Sequence, residues 1–252
     1  LLTLPWDVHP DRDQQWFEKE TKNMSRRQIA QELECNFNMS GETVFHSEDM
    51  EYIRASLCDP KYKTGFDRNL WIWQEYDANS SYMLSSDVAR GDGQDYSSFH
   101  IFKLETNDMV NEVAKEYGDC MVVIENNTVG WAVLDKLQEY NCPNIYFSKK
   151  STHEYVDPLM ADTSGVVPGF TTSMKTRPLV IAKMEEFVRN KLITIKSKRL
   201  FNEMKTFVWH NGKPQAMKKH NDDLIMACAI GCWVKDTVYS TNLRDVQHQI
   251  QH

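Results

Sequence analysis

No CxxC pair occurs anywhere in the 252 residues, although six cysteines are present, at positions 35, 58, 120, 142, 228 and 232. That spacing is poor material for a zinc site, and a chain of this size has no need of disulfide staples. Cysteine usage therefore points to a reducing cytoplasm. Long hydrophobic runs are missing too. The longest nearly uninterrupted one, Leu224 to Val234, is far too short to span a bilayer, so no membrane role is expected. The apolar start Leu1-Leu-Thr-Leu-Pro5 has no basic flank and does not read as a secretory leader. It also lacks an initiating Met, as expected of an excised fragment or a processed product. Positive charge is in deficit: the net charge of −7 argues against a protein that simply coats nucleic acid, while leaving room for an enzyme whose acids hold cations.

What is present is enough for one large domain or two small ones with a real core. Residues 1–45 read as a helical linker, with a long charged segment from Trp16 to Phe37 and a capping box at Ser25-Arg-Arg-Gln28. Beyond it, the sequence predicts a helix from Ser47 with an acidic first turn and a strand over Leu70–Trp73. Strands follow over Tyr82–Asp87 and Ser98–Phe102, joined by a loop containing Gly91 and Gly93. A short helix is predicted over Val110–Tyr117. Cys120-Met-Val-Val-Ile-Glu125 is the continuous apolar run expected of a buried parallel strand, and helix Trp131–Tyr140 follows it. A strand over Asn144–Phe147, a long polar loop from Ser148 to Ser173 and an amphipathic helix over Thr176–Arg189 come next. Ile193 to Arg199 reads as a strand, Leu200–Trp209 as a helix, Phe207 to Ala216 as closing in a turn, and His220–Trp233 as an apolar helix. Cys228 and Cys232, one turn apart, belong to its core face; the tail after Asp236 is polar and uninformative.

Three acidic signals fall at the ends of these elements. Asp87 closes one strand beside a glycine loop, Glu125 closes another at the mouth of a helix, and Asp222-Asp223 open a late helix. Asp and Gly gather in turns for backbone reasons alone, and Asp at a helix start is explained by capping and the helix dipole. A strand closing on a buried-edge acid is harder to explain structurally, because unpaired buried charge is costly. Phosphodiester hydrolysis would account for all three. Two divalent ions about 4 Å apart clamp the attacking and leaving oxygens, and carboxylates are the hard ligands that Mg2+ or Mn2+ prefer.

Asp87-Val-Ala-Arg-Gly-Asp-Gly-Gln-Asp-Tyr-Ser97, Val122-Val-Ile-Glu-Asn-Asn-Thr-Val-Gly130 and Asn221-Asp-Asp-Leu-Ile-Met-Ala227 resemble the three nuclease motifs of the large terminase subunit of tailed bacteriophages. The resemblance extends through Pro168 to Pro178 and Asn190 to Trp209, and so covers roughly residues 45–235. It implies an α/β, RNase H-like mixed sheet flanked by helices over residues 46–252, and a tail of a preceding ATPase region over 1–45. It implies a metal-dependent endonuclease that cuts concatemeric viral DNA during packaging, in the cytoplasm of the infected bacterial host, leaving a 3′ hydroxyl and a 5′ phosphate. By the same resemblance Asp87, Glu125 and Asp223 are the catalytic, metal-binding triad and Asp222 is an assisting neighbour; the choice within the acidic pair comes from the resemblance alone. Mg2+ or Mn2+, two ions, is the implied cofactor. The implied partners are double-stranded DNA and, in a full-length protein, the ATPase domain, portal and small terminase subunit.

Basic residues around the acids are the candidate DNA contacts: Arg90 in the glycine loop, Lys175 and Arg177 before a helix, and Lys198 and Arg199 at a strand end. Such contacts position a duplex without reading its sequence. Two departures from the family stand out. No GxxxxGK[ST] phosphate loop occurs, so the chain is expected to cut but not to translocate. Only Glu105-Thr-Asn-Asp108 separates the second strand from the predicted helix, so the third antiparallel strand of an RNase H-like sheet is expected to be absent or unseen. Two other readings remain: a non-catalytic DNA-docking module of a packaging motor, and an actin-like ATP phosphotransferase, which would need a second glycine loop that the sequence lacks.

Overall fold

The structure is a computed structural model. It describes residues 6–22, 24, 29–33, 43–89, 97–104, 108–111, 120–127, 129–142, 144–149 and 166–250, with side chains described no further than 237. Arg90, both loop glycines at 91 and 93, the capping box at 25–28 and most of the 148–173 loop lie outside the described residues.

A six-stranded mixed sheet forms the centre, in the order β1-β2-β5-β4-β3-β6. Its strands are β1 (Tyr62–Thr64), β2 (Leu70–Ile72), β3 (Tyr82–Asp87), β4 (Ser98–Lys103), β5 (Asp108–Asn111) and β6 (Met121–Ile124). β3 and β4 pair antiparallel from Tyr82↔Lys103 to Asp87↔Ser98, and β3 and β6 pair parallel from Met83↔Met121 to Ser86↔Ile124. The helices are α1 (Gln14–Thr21), α2 (Ser47–Ser56), α3 (Gly130–Glu139), α4 (Thr176–Arg189), α5 (Lys198–Lys205) and α6 (Asp223–Ile250). Two small hairpins, β7 (Phe147–Lys149) with β8 (Val166–Pro168) and β9 (Phe207–His210) with β10 (Lys213–Ala216), complete the described elements.

The period-2 alternation of β3 and β4 divides the core into two layers. Tyr82, Leu84 and Ile101 face Leu134 of α3 on one side. Met83 and Phe102 face the other way, into a larger core with α4, α5 and α6. Gly231 of α6 sits against the Phe102 ring, where a Cβ would come within 2.4 Å of it. Val44 and Phe45 belong to this larger core, and Thr43 bridges to Val208 of β9.

Several sequence expectations are corrected. The third antiparallel strand exists: β5 pairs with β4, and Ile72 of β2 pairs with Asn111. It takes Val110 and Asn111, the first two residues of the predicted helix Val110–Tyr117; the rest of that helix lies outside the described residues. Ile193–Arg199 is not a strand of any ladder; it runs extended beside α2, where the Ser56 hydroxyl donates to the Ile195 carbonyl at 2.9 Å, before α5 starts at Lys198. The predicted helix Leu200–Trp209 stops at Lys205, because Phe207–His210 pairs with Lys213–Ala216 around an Asn211-Gly212 turn with φ of 49° and 77°. α4 is buried continuously from Val180 to Val188, including Lys183, Glu185 and Glu186, so it is an inner helix and not a one-sided amphipathic one. α6 continues to Ile250, through the tail that carried no signal. α1, Gln14–Thr21, covers the start of the charged stretch from Trp16 to Phe37, most of which lies outside the described residues. Among the described residues no helix is long and apolar enough to cross a membrane.

Candidate metal centre

Parallel pairing of β3 with β6 brings two of the acids together. The last register pair is Ser86↔Ile124, and the Glu125 N–H donates to the Ser86 carbonyl at 3.0 Å, so Asp87 and Glu125 leave adjacent strand ends side by side. Both fall on the Met83/Val123 face of the sheet, the face that α6 covers. Beyond Ile124 the chain is held by Phe170, whose N–H donates to the Ile124 carbonyl at 2.8 Å while its own carbonyl accepts from Asn126 N–H at 2.9 Å. Two glycines permit this closeness. Gly169, at φ 79°, would place a Cβ 2.5 Å from the Ile124 carbonyl oxygen, and Gly130 at the start of α3 would place one 1.7 Å from that of Glu125. The Asn127 amide donates to Glu125 Oε1 at 2.8 Å and fixes its carboxylate.

The third acid arrives on α6. Its first residues are tied to β4 by two side chains: Ser98 Oγ donates to the Asp223 carbonyl at 2.7 Å, and His100 Nε2 lies 2.9 Å from the Leu224 carbonyl. A carbonyl only accepts, so His100 carries its proton on Nε2. Burial holds this histidine neutral, with its pKa pushed down to about 4. Asp222 turns instead to Arg177, with which it forms an ion pair.

Electrostatics bind the acids into one group. The Asp87 carboxyl is pushed up to about 9, first by burial, then by a hydrogen bond with Glu125 and by the negative charges of Glu125, Asp223 and Asp222. A fifth acid, invisible to the sequence reading, joins them: Glu203 of α5 is pushed up to about 8 by burial and by Asp223 and Asp222. Its carboxylate accepts from the N–H of Ile225 at 3.2 Å. Among the described residues no three acids, histidines or cysteines stand grouped at metal-ligating distance. The donor chemistry nevertheless suits a hard divalent cation. Closely set carboxylates repel one another and take up a proton when nothing positive lies between them, and a cation replaces that proton.

A cavity of about 660 Å3 opens beside Asp223 and is lined in part by Asn69, Phe99, Arg199, Glu203 and Asn221. Arg199 lies over the Trp71 ring at 4.3 Å and donates to the Asn69 carbonyl at 3.1 Å, placing a cation on the cavity wall. The other basic candidates are placed differently. Lys175 is exposed at the start of α4, Arg177 is engaged with Asp222, and Lys198 pairs with Asp59 at 2.7 Å on the surface. The structure thus brings Arg177 and Arg199 to the acids, and leaves Lys175 and Lys198 outside their contacts.

A mixed sheet with carboxylates at adjacent strand ends and a third on a covering helix defines an RNase H-like α/β fold. Its structural neighbours are the nuclease domains of phage large terminases. The large terminase nuclease from thermophilic phage G20c, solved with bound cobalt and with bound magnesium, matches 73% of this chain and 95% of its own, with a TM-score of 0.53 and 16% identity in each case. The large terminase nuclease domain of Thermus phage P74-26 matches 72% of this chain and 92% of its own, with a TM-score of 0.50 and 16% identity. At that identity the likeness is one of fold. No protein-family model matches the sequence.

Proposed function

We propose that this chain is a metal-dependent DNA endonuclease acting in phage genome packaging. The observation that carries the reading is that Asp87 and Glu125 leave adjacent parallel strand ends side by side, while the start of α6, which carries Asp223, is tied to the neighbouring β4. The metals named with the G20c nuclease support it. In this reading Asp87, Glu125 and Asp223 hold Mg2+ or Mn2+, two ions, and Asp222 assists while Arg177 restrains it. Ions held by these carboxylates would lower the pKa of a bound water and neutralise charge on the phosphate oxygens. Asn127 orients the Glu125 carboxylate, the 98–100 segment holds Asp223 in register, and Arg199 with Lys175 and Lys198 contacts the DNA backbone. Arg90, beyond the described residues, is proposed to do the same from the glycine loop. Cleavage leaves a 3′ hydroxyl and a 5′ phosphate.

The wider setting follows the same proposal. Residues 46–252 form the nuclease, residues 1–45 are the tail of a preceding ATPase region, and portal and small terminase subunit are partners in the host cytoplasm. Concatemeric viral DNA is the substrate.

Supercoiled plasmid tests the reading directly. The chain is expected to nick it in magnesium or manganese and to leave it intact in EDTA, and Asp87→Asn is expected to abolish nicking with the fold retained. Wild-type cutting by Asp87→Asn refutes the triad. DNA binding with no cleavage at any divalent-ion concentration assigns a docking module instead.

A further inference from the structure

We propose that Glu203 is a positioning residue for Asp223: it caps α6 from the neighbouring helix and so fixes where the third acid stands. The inference rests on the nuclease reading and adds a residue to it. The first N–H groups of any helix lack intrahelical partners, and an Asp at the N-cap ordinarily accepts from them. Here Asp222 occupies that position, since its carbonyl accepts the Met226 N–H at 2.8 Å. Its carboxylate, however, pairs with Arg177. The cap comes from α5, where Glu203 Oε2 accepts the Ile225 N–H at 3.2 Å.

On the opposite side, Ser98 and His100 donate to the carbonyls of Asp223 and Leu224 at 2.7 and 2.9 Å. The backbone of 223–225 is therefore gripped at the Ile225 N–H by α5 and at the carbonyls of Asp223 and Leu224 by β4. Neither grip uses the Asp222 side chain, so the acidic pair is relieved of the capping duty its position would otherwise impose. Glu203 also lines the cavity beside Asp223, so loosening it opens the wall on which that acid is mounted.

Conservative and disruptive variants separate positioning from direct ligation. Glu203→Gln keeps a side-chain oxygen to accept the Ile225 N–H, whereas Glu203→Ala keeps none. Magnesium titrations followed by the metal-induced rise in melting temperature, and separately by plasmid nicking, are to be run on the whole chain. Glu203→Gln is expected to keep the wild-type magnesium half-saturation. Glu203→Ala is expected to raise it on the order of tenfold, as loss of an outer-shell partner does. Ser98→Ala, which loosens the opposite grip, is expected to raise it in the same direction and serves if Glu203→Ala fails to fold. Equal loss in Glu203→Gln and Glu203→Ala overturns the proposal and makes the carboxylate itself a ligand. Unchanged half-saturation in Glu203→Ala, or in Ser98→Ala where Glu203→Ala does not fold, also overturns it. A wild-type chain that neither responds to magnesium nor cuts overturns the nuclease reading, and this positioning role falls with it.

Discussion

Replacing Asp87 by Asn is expected to stabilise the metal-free protein while destroying its activity. Asp87 has an ordinary carboxylate pKa of 3.8 when unfolded and is pushed up to about 9 in the fold, with burial the largest cause and the neighbouring carboxylates next. Between those values the folded chain holds a proton that the unfolded chain releases. Unfolding then gains from every rise in pH, so this group's contribution is most favourable below pH 3.8 and is lost progressively up to about 9. Each unit is worth ~1.4 kcal/mol. At pH 7 the cost reaches about 4 kcal/mol as an upper bound, and sharing the proton with Glu125 brings a fair figure to about 2–4 kcal/mol. An Asn at this position carries no charge and can donate its amide to Glu125, so the cost disappears.

For a chain of this length the gain corresponds to a melting temperature higher by roughly 5–10 °C. Thermal unfolding in EDTA, followed by circular dichroism from pH 4 to pH 8, measures it. The difference between variant and wild type is the quantity to read. Glu203, pushed up to about 8, also lowers stability with rising pH, whereas His100, pushed down to about 4, raises it, and both titrate in both proteins. The gap is expected to be largest near pH 8 and to close toward pH 4. A variant no more stable than wild type at pH 7.5, or a gap independent of pH, refutes the electrostatic account of the site.

Gly130→Ala would set a Cβ 1.7 Å from the Glu125 carbonyl oxygen, backbone that has no room to yield. It is expected to cost about 1–3 kcal/mol in urea unfolding and to lower plasmid nicking by displacing Glu125. The buried Lys183, paired with Glu186 at 2.6 Å and Asp236 at 3.1 Å, gives a contrast within the core. Lys183→Ala strands two acids and is expected to lose about 3–5 kcal/mol in chemical denaturation, and a loss below 1 kcal/mol would show the ion pairs to be of little weight.

The parts of the site that the sequence made legible are those where one residue's chemistry conflicts with its local element. β3 and β6 are apolar runs that end on acids, and that conflict marks Asp87 and Glu125 before any contact is known. Elements that a local period describes were legible for the same reason, as α3 and the β3–β4 pair show. Val110 and Asn111, expected to open a helix, belong instead to β5, because the strands that pair with them, β2 and β4, are supplied by distant residues. The turn of the β9–β10 hairpin was legible, since Asn211-Gly212 is a strong two-residue turn signal, but its first strand was taken into the helical run that begins at α5. Glu203 left no such trace. A charged residue inside an amphipathic helix looks like solvated surface, and its role appears only when α5 is laid against the start of α6, twenty residues on. The sequence position of Asp222-Asp223 could not separate capping from chemistry, because both want an acid there. The structure separates them by drawing the Ile225 N–H to Glu203 of another helix and turning the Asp222 carboxylate to Arg177.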